Sequence, residues 1–242
     1  MWLREMKKFF RNKSRIIGAL GQPLLFLLAL GYGLGSVFQA AGQGNYIQFL
    51  APGIIGMSII FGSVFNGMAL IWDRQFGFLK ETLVAPVSRL NIMLGRTLGG
   101  ATTAALQGLV VLIITFFIGF HPYQWNLVLP AVLVMLLIGL LFNAVGLLGG
   151  ALFSDFQGFQ LIMNFLVMPL FFLSGSLFPL QNAPAALQWI ARFDPLAYGI
   201  DALRGLLINI TIYGVWIDIA VLAAVTIVFL GLSSWAFSRI QA

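Results

Sequence analysis

Long apolar runs separated by short polar or charged stretches dominate the chain. The runs at about 16–37, 52–72, 97–120, 127–153, 161–178 and 216–237 lie near or above the roughly 18 to 20 residues that carry a helix across a ~30 Å hydrocarbon layer. They predict six transmembrane helices. Pro23 and the glycines Gly31, Gly33 and Gly35 fall in the first run, and Pro52 is expected to open the second. The fourth is long enough to tilt, and Pro169 is expected to kink the fifth.

Ahead of the first run, Trp2 to Arg15 reads as an amphipathic helix. On a helical wheel Trp2, Leu3, Met6, Phe9 and Phe10 share an arc of about 120°, with Arg4, Lys7, Lys8, Arg11 and Arg15 on the other side. Such a helix lies in the membrane interface. Lys13 falls on the apolar side, so it must snorkel unless the helix has already ended there. A signal peptide is the competing reading, but the next apolar run is too long for a signal core and no clear A-x-A site follows.

Two intervening stretches stand out. Residues 73–96 carry Arg74, Lys80, Arg89 and Arg96 against Asp73 and Glu81, which makes them the main charged loop on the side of the N-terminus. Residues 182–207 hold two short helix candidates, neither long enough to cross: one opens at Asn182 and Pro184, the other at Asp194 and Pro195, an N-cap followed by proline at the first helical position. They are expected to form a re-entrant or interfacial pair on the outer side, between spans five and six. Tyr123 and Trp125, in the turn after the third run, fit an interfacial aromatic belt, and His121 beside them is expected to be interfacial too.

Composition agrees with the pattern. The 242 residues are 60% hydrophobic and 8% charged, with a mean hydropathy of +1.00. A soluble domain carries roughly a quarter charged residues. The net charge of +6 would suggest nucleic acid in a soluble protein, but the cations border the apolar runs, so no nucleic-acid partner is expected. Eleven of the 13 Lys and Arg residues fall on the side of the N-terminus, and only Arg192 and Arg204 fall on the other. By the positive-inside rule this predicts six spans with both termini in the cytoplasm. With no Cys and a single His, thiolate and metal chemistry are not expected.

The motifs say more by omission. No G-x-x-x-x-G-K-[ST] run exists, so ATP would have to be handled on another chain. No span before the last carries a clear acid or base of the kind that ion-coupled carriers hold at mid-membrane. Gly31-x-x-x-Gly35, Gly95-x-x-x-Gly99 and Gly146-x-x-x-Gly150 have the spacing of close helix crossings, which in so glycine-rich a chain chance or packing within the chain explains more readily than dimerisation. Phe76, Phe78 and Leu79 beside Lys80 and Glu81 read equally as a docking surface or as residues buried against the chain's own helices or the lipid interface. Asp201 and Arg204, three apart on a helix, have the spacing of an ion pair.

Two stretches carry a family resemblance. One is Asp-Arg-Gln-Phe-Gly-Phe-Leu-Lys-Glu-Thr-Leu-Val-Ala-Pro-Val-Ser-Arg at 73–89. The other runs from Phe172 through Ser174-Gly175, Phe178-Pro179 and Pro195-Leu-Ala-Tyr198 to Asp201 and Arg204. Both resemble the permease subunits of ABC-2 type ATP-binding cassette exporters, a family that includes bacterial drug, lipid and polysaccharide exporters. The likeness extends over nearly the whole chain. Pro-Leu-Ala-Tyr replaces the common Pro-Leu-Thr-Tyr, and Ala183-Pro184 the common Leu-Pro.

The resemblance implies an all-α membrane protein with an interfacial helix over 1–15 and one transmembrane domain over 16–242. It implies a non-catalytic permease of the inner (cytoplasmic) membrane that pairs with a second copy or a related permease and binds ATPase subunits. No cofactor is expected in this chain, and ATP and Mg belong to the partner ATPase. Phe76, Gly77, Phe78, Leu79, Lys80, Glu81 and Pro86 would form the coupling segment seated in the ATPase. Arg4, Lys7, Lys8 and Arg11 would lie along the membrane face, and Gly175, Phe178, Pro179, Pro195, Tyr198, Asp201 and Arg204 make the outer motif. The substrate would be amphipathic or lipid-linked. An ion-coupled carrier or channel without an ATPase is the competing class, followed by a lipid-processing intramembrane enzyme using Asp155, Asp194 or Asp201.

Overall fold

The structure, a computed structural model, describes residues 1–42, 44–84 and 86–240. All regular elements among the described residues are helical: α1 (Trp2–Arg11), α2 (Lys13–Gly33), α3 (Gly35–Ala40), α4 (Tyr46–Gln75), α5 (Phe78–Val84), α6 (Arg89–Phe117), α7 (Val128–Leu152), α8 (Phe156–Leu173), α9 (Ala185–Ala191), α10 (Pro195–Ile208) and α11 (Val215–Ser238). Helices α4, α6, α8, α11 and α7 with the turn before it are long and apolar enough to cross a membrane, and α2 adds a shorter apolar stretch, Ile17–Gly33. In lipid such helices persist because unravelling would strand their backbone polar groups.

Several boundaries differ from the sequence pattern, each for a local reason. Helix α1 stops at Arg11, so it has already ended before Lys13, which opens α2. The side chains of Lys13 and Arg15 lie outside the described residues. Pro52 does not open the second span: the Asn45 side chain caps α4 by accepting from the Ile47 N–H at 2.9 Å, and Pro52 sits inside the helix. Residues 89–96 are not loop, because Ser88 caps α6 by accepting from the Asn91 N–H at 3.3 Å. Asp155 likewise starts α8 at Phe156, accepting from the Gly158 N–H at 2.7 Å. At its other end α8 stops at Leu173: Ser174 and Ser176 both donate to the Phe171 carbonyl, at 2.8 and 2.6 Å, and Gly175 turns the chain at φ +74°.

The core is built on α4, whose Leu50, Ile54, Ile55, Ile59 and Ile60 are completely buried. Helix α7 packs along it, α6 crosses both, α11 lies on α7, and α2 flanks α4. Small residues set the closest crossings. A Cβ at Gly67 would strike the Gly146 carbonyl, and one at Gly150 would stand 2.6 Å from the Gly67 carbonyl oxygen. Cβ atoms at Gly95 and Gly99 would come within 2.9 Å of Met1 and Glu5, so those two glycines form the seat on which α1 lies across α6. Two of the three Gly-x-x-x-Gly spacings therefore serve packing within the chain. Of the first, Gly31 packs on Ile47, while Gly35 has open space.

Candidate functional site

At the end of the bundle that carries the basic residues, the chain leaves α4, turns at Gly77 with φ +79°, and forms the short helix α5. Phe76 and Phe78 project outward, 71% and 54% exposed, while Leu79 between α5 and the bundle is 1% exposed. Leu79 packs with Leu70, Ile92, Met93, Leu147, Phe237 and Ile240. The chain's own helices bury Leu79 and leave the two aromatics exposed. Lys80, Glu81 and Pro86 are exposed and Gly77 is half-buried. The chain's far end braces the same segment, as Arg89 donates to the Ser238 and Ile240 carbonyls at 2.7 and 2.9 Å.

A charge cluster joins this segment to α1. Arg4 donates to Asp73 Oδ2 at 2.8 Å, and Arg96 donates to the same oxygen. Arg96 is buried and Arg4 partly exposed, so one carboxylate at the last turn of α4 holds a buried cation of α6 and a surface cation of α1. Trp2 Nε1 also donates to Thr102 Oγ1 at 3.1 Å. Met6 and Phe9 are buried against the bundle, whereas Leu3 and Phe10 remain exposed, which divides the apolar face between protein and surroundings. Lys8 lies 3.7 Å from Glu5, and Lys7 and Arg11 are exposed.

At the opposite end the two expected short helices are α9 and α10. Asp194 caps α10, accepting from the Leu196 N–H at 2.8 Å, with Pro195 at the first turn. The expected ion pair between Asp201 and Arg204 does not form. Asp201 Oδ2 accepts from the Ile212 and Tyr213 N–H groups at 2.8 and 3.1 Å, closing the loop into α11. Arg204 donates to the Gly175 carbonyl at 3.1 Å and stacks 4.0 Å above the Phe49 ring centroid. Burial draws its guanidinium down to about 10, with Asp201 opposing, so it remains a cation near neutrality. Backbone partners engage Asp201 Oδ2 and one amino group of Arg204 in place of the pairing. Tyr198 donates to the Arg192 carbonyl at 2.8 Å, and Phe178 and Pro179 are half-buried.

Asp194 yields a test. Burial pushes its carboxyl from 3.8 up to about 7, against the pull of the Leu196 and Ala197 N–H groups. The folded state therefore binds the extra proton between those values, and stability falls as pH rises through that window. Asp194→Asn keeps the cap without the charge, so its thermal midpoint should gain on the parent's between pH 5 and pH 8, a range read as roughly one side of the transition to the other. Asp194→Ala loses the cap and should cost about 0.5 to 2 kcal/mol at either pH. An unchanged gap between parent and Asp194→Asn across pH would refute the assignment.

Sequence reading missed the amides inside the spans. Asn66 of α4 donates to Asn143 of α7 at 3.2 Å, and Asn143 donates to the Gly139 carbonyl at 2.8 Å. Gln107 of α6 is buried beside Gly62. The available signal was three amides within otherwise apolar runs. No cluster of three or more metal-ligating side chains occurs among the described residues.

A family model described as ABC-2 type transporter matches residues 1–208. Nodulation protein J of Rhizobium leguminosarum bv. trifolii is 32% identical over 198 residues, covering 81% of this chain and 75% of that protein. The inner membrane transport permease YadH of Escherichia coli K12 is 28% identical over 207 residues, covering 84% and 80%. A putative transport permease, ycf38, of Cyanophora paradoxa is 31% identical over 203 residues, covering 80% and 68%. With a buttressed aromatic helix at the basic end, an apolar helical bundle and a match over most of its length, the chain belongs to the ABC-2 type transporter permease family.

Proposed function

We propose that this permease is the non-catalytic membrane subunit of an ATP-driven exporter, with six spans and both termini on the cytoplasmic side of the inner membrane. The observation that carries the reading is the exposed pair Phe76 and Phe78 on a short helix outside the bundle, fixed from below by Leu79. An anchored helix bearing exposed aromatics suits the groove of a partner protein, since aromatic anchors contribute most of the binding energy in such contacts. The partner is an ATPase subunit, which would hold ATP and Mg. The charge distribution supports the orientation, and α2 as sixth span completes an even number of crossings. The name of the YadH relative supports the inner membrane.

The exposed apolar faces of α8, with Phe165 and Leu161, and of α2, with Leu25 and Tyr32, suit a second permease copy or lipid. Closure of the ATPases would push α5, and Leu79 and the Asp73 cluster would pass that displacement to α4, α6 and α1. The three acids considered for lipid chemistry are engaged in capping or loop closure, which supports a non-catalytic role.

To test coupling, Phe76, Phe78 and Glu81 are replaced by alanine and substrate-linked ATP hydrolysis is measured in the reconstituted complex. Loss of at least about ten-fold is expected, the weight of roughly 1.4 kcal/mol at the contact. Unchanged coupling, or gradient-driven transport by the permease alone, overturns the reading, and the latter outcome would establish a secondary carrier.

A further inference from the structure

Asp218 stands one turn into α11 and is completely buried, though it carries a carboxyl group. Neither of its oxygens has a hydrogen-bond partner, and Oδ1 of Asp201 on α10, a residue only 2% exposed, has none either. The two carboxyl groups come within hydrogen-bond reach of each other across the contact of α10 with α11. Neither forms an ion pair among the described residues. Asp201 Oδ2 meanwhile holds the Ile212 and Tyr213 N–H groups, so the pair sits where the chain turns from α10 into α11.

Two ionised carboxylates are acceptors only, so facing each other out of water they repel and leave these oxygens unpaired. A metal ion is a poor remedy, since calcium takes about six to eight oxygen ligands and magnesium about six. Here three oxygens are free, each closed to solvent, so water cannot complete a shell. A proton needs no shell. Bound to one carboxyl group it makes an O–H that donates to the other, as in acid pairs that hold one proton between them. The surroundings supply one cation, the Arg204 guanidinium, whose charge acts on Asp201. Tyr198 faces Asp218 and stacks on Tyr213 with centroids 5.1 Å apart, and the turn with His121 and Tyr123 meets α10 through the Tyr123 N–H, which donates to the Leu207 carbonyl at 2.8 Å. Tyr46 of α4 donates to the Leu177 carbonyl. Helices α7 and α8, packed on α10, carry no ionisable side chain, and Asp73, Arg74, Arg89 and Arg96 of α4 and α6 stand at the opposite end of the bundle.

We propose that Asp201 and Asp218 share one bound proton, and that this proton fastens the outer end of α11 to α10. The cluster is then neutral, with one guanidinium, one carboxylate and one carboxylic acid. It extends the tie that Asp201 Oδ2 makes to the loop into the first turn of α11. The proton is held rather than conducted, because none of the three oxygens reaches solvent. The site lies at the other end of the bundle from the coupling segment, so it stands whether or not an ATPase docks there.

Infrared absorption of the full-length permease in an ester-free maltoside detergent at pH 6.5 tests this. The protein carries Asp194→Asn, which removes the other acid that burial pushes up. That pH is about two units above an ordinary Asp or Glu, so a carboxylic-acid C=O band there reports a held proton. Such a band is expected, shifted to lower wavenumber when aspartate is labelled with carbon-13, and lost when Asp218→Asn is added. The amide of Asp218→Asn can donate to Asp201 in the proton's place, so that variant should fold. If it is not recovered, the label decides, because the remaining aspartates are Asp73, bonded to two arginines, and Asp155, an exposed cap. No acid band at pH 6.5, a band indifferent to the aspartate label, or a band that survives Asp218→Asn overturns the proposal.

Discussion

Gly67→Ala is expected to destabilise the purified permease by about 1 to 3 kcal/mol, and Gly67→Leu to prevent recovery of folded protein. The cause is the crossing of α4 and α7, where backbone meets backbone. A Cβ at Gly67 would run into the Gly146 carbonyl, which belongs to the main chain and cannot turn aside as a side chain would. Gly150 and Gly146 face the same crossing, with their Cβ positions 2.6 Å from the Gly67 carbonyl and 3.0 Å from the Val64 carbonyl. Separating the helices would open gaps along the most buried pair in the bundle, and interiors packed at crystal density do not absorb such shifts. The control is Gly231→Ala on α11, whose added methyl meets nothing within 4 Å. Thermal midpoints of the three proteins in one detergent make the comparison. If Gly67→Ala and Gly231→Ala behave alike, the close crossing is not the constraint described.

Asp73→Asn is expected to cost about 3 to 5 kcal/mol, because it leaves the Arg96 guanidinium buried without its counter-charge. The side chain of Arg96 is only 5% exposed, whereas that of Arg4 is 35% exposed. Arg4→Ala should therefore cost far less, about 0 to 1 kcal/mol, since solvent screens a surface pair. Arg96→Met removes the cation instead of stranding it, and should be milder than Asp73→Asn because Arg4 still pairs the carboxylate. Thermal unfolding of the three variants gives the order. Equal losses at Arg4 and Asp73 would mean that the cluster is solvated and does not tie α1 to the bundle.

Comparison of the outer motif with the coupling segment shows where residue spacing is a reliable guide. Asp194 and Pro195 announce a helix start through chemistry confined to three residues, and α10 begins there. Asp201 and Arg204 have the spacing of a pair, yet spacing cannot know that Gly175 and the backbone at 212 and 213 come close enough to take each side chain first. Phe76, Phe78 and Leu79 are similar apolar residues within four positions. Their division into two exposed and one buried depends on the turn at Gly77 and on α11 returning to place Phe237 and Ile240 beneath α5.

The sequence by itself determined the solvent, the order of the apolar helices and the family. Hydrophobic run length and the placement of Lys and Arg are properties of the chain alone, and transfer of apolar surface into lipid needs no knowledge of neighbours. The caps that set helix starts at 46, 89 and 156 are Asn45, Ser88 and Asp155, and each lies ahead of the apolar run that hydropathy alone picks out. Only the tertiary structure decided which glycines are contact points, that Asp73 gathers cations from α1 and α6, and that Gln107 is buried beside Gly62. The Asp73 cluster joins residues 23 and 69 positions apart, and proximity at that range is set by packing of whole helices, which no local pattern encodes.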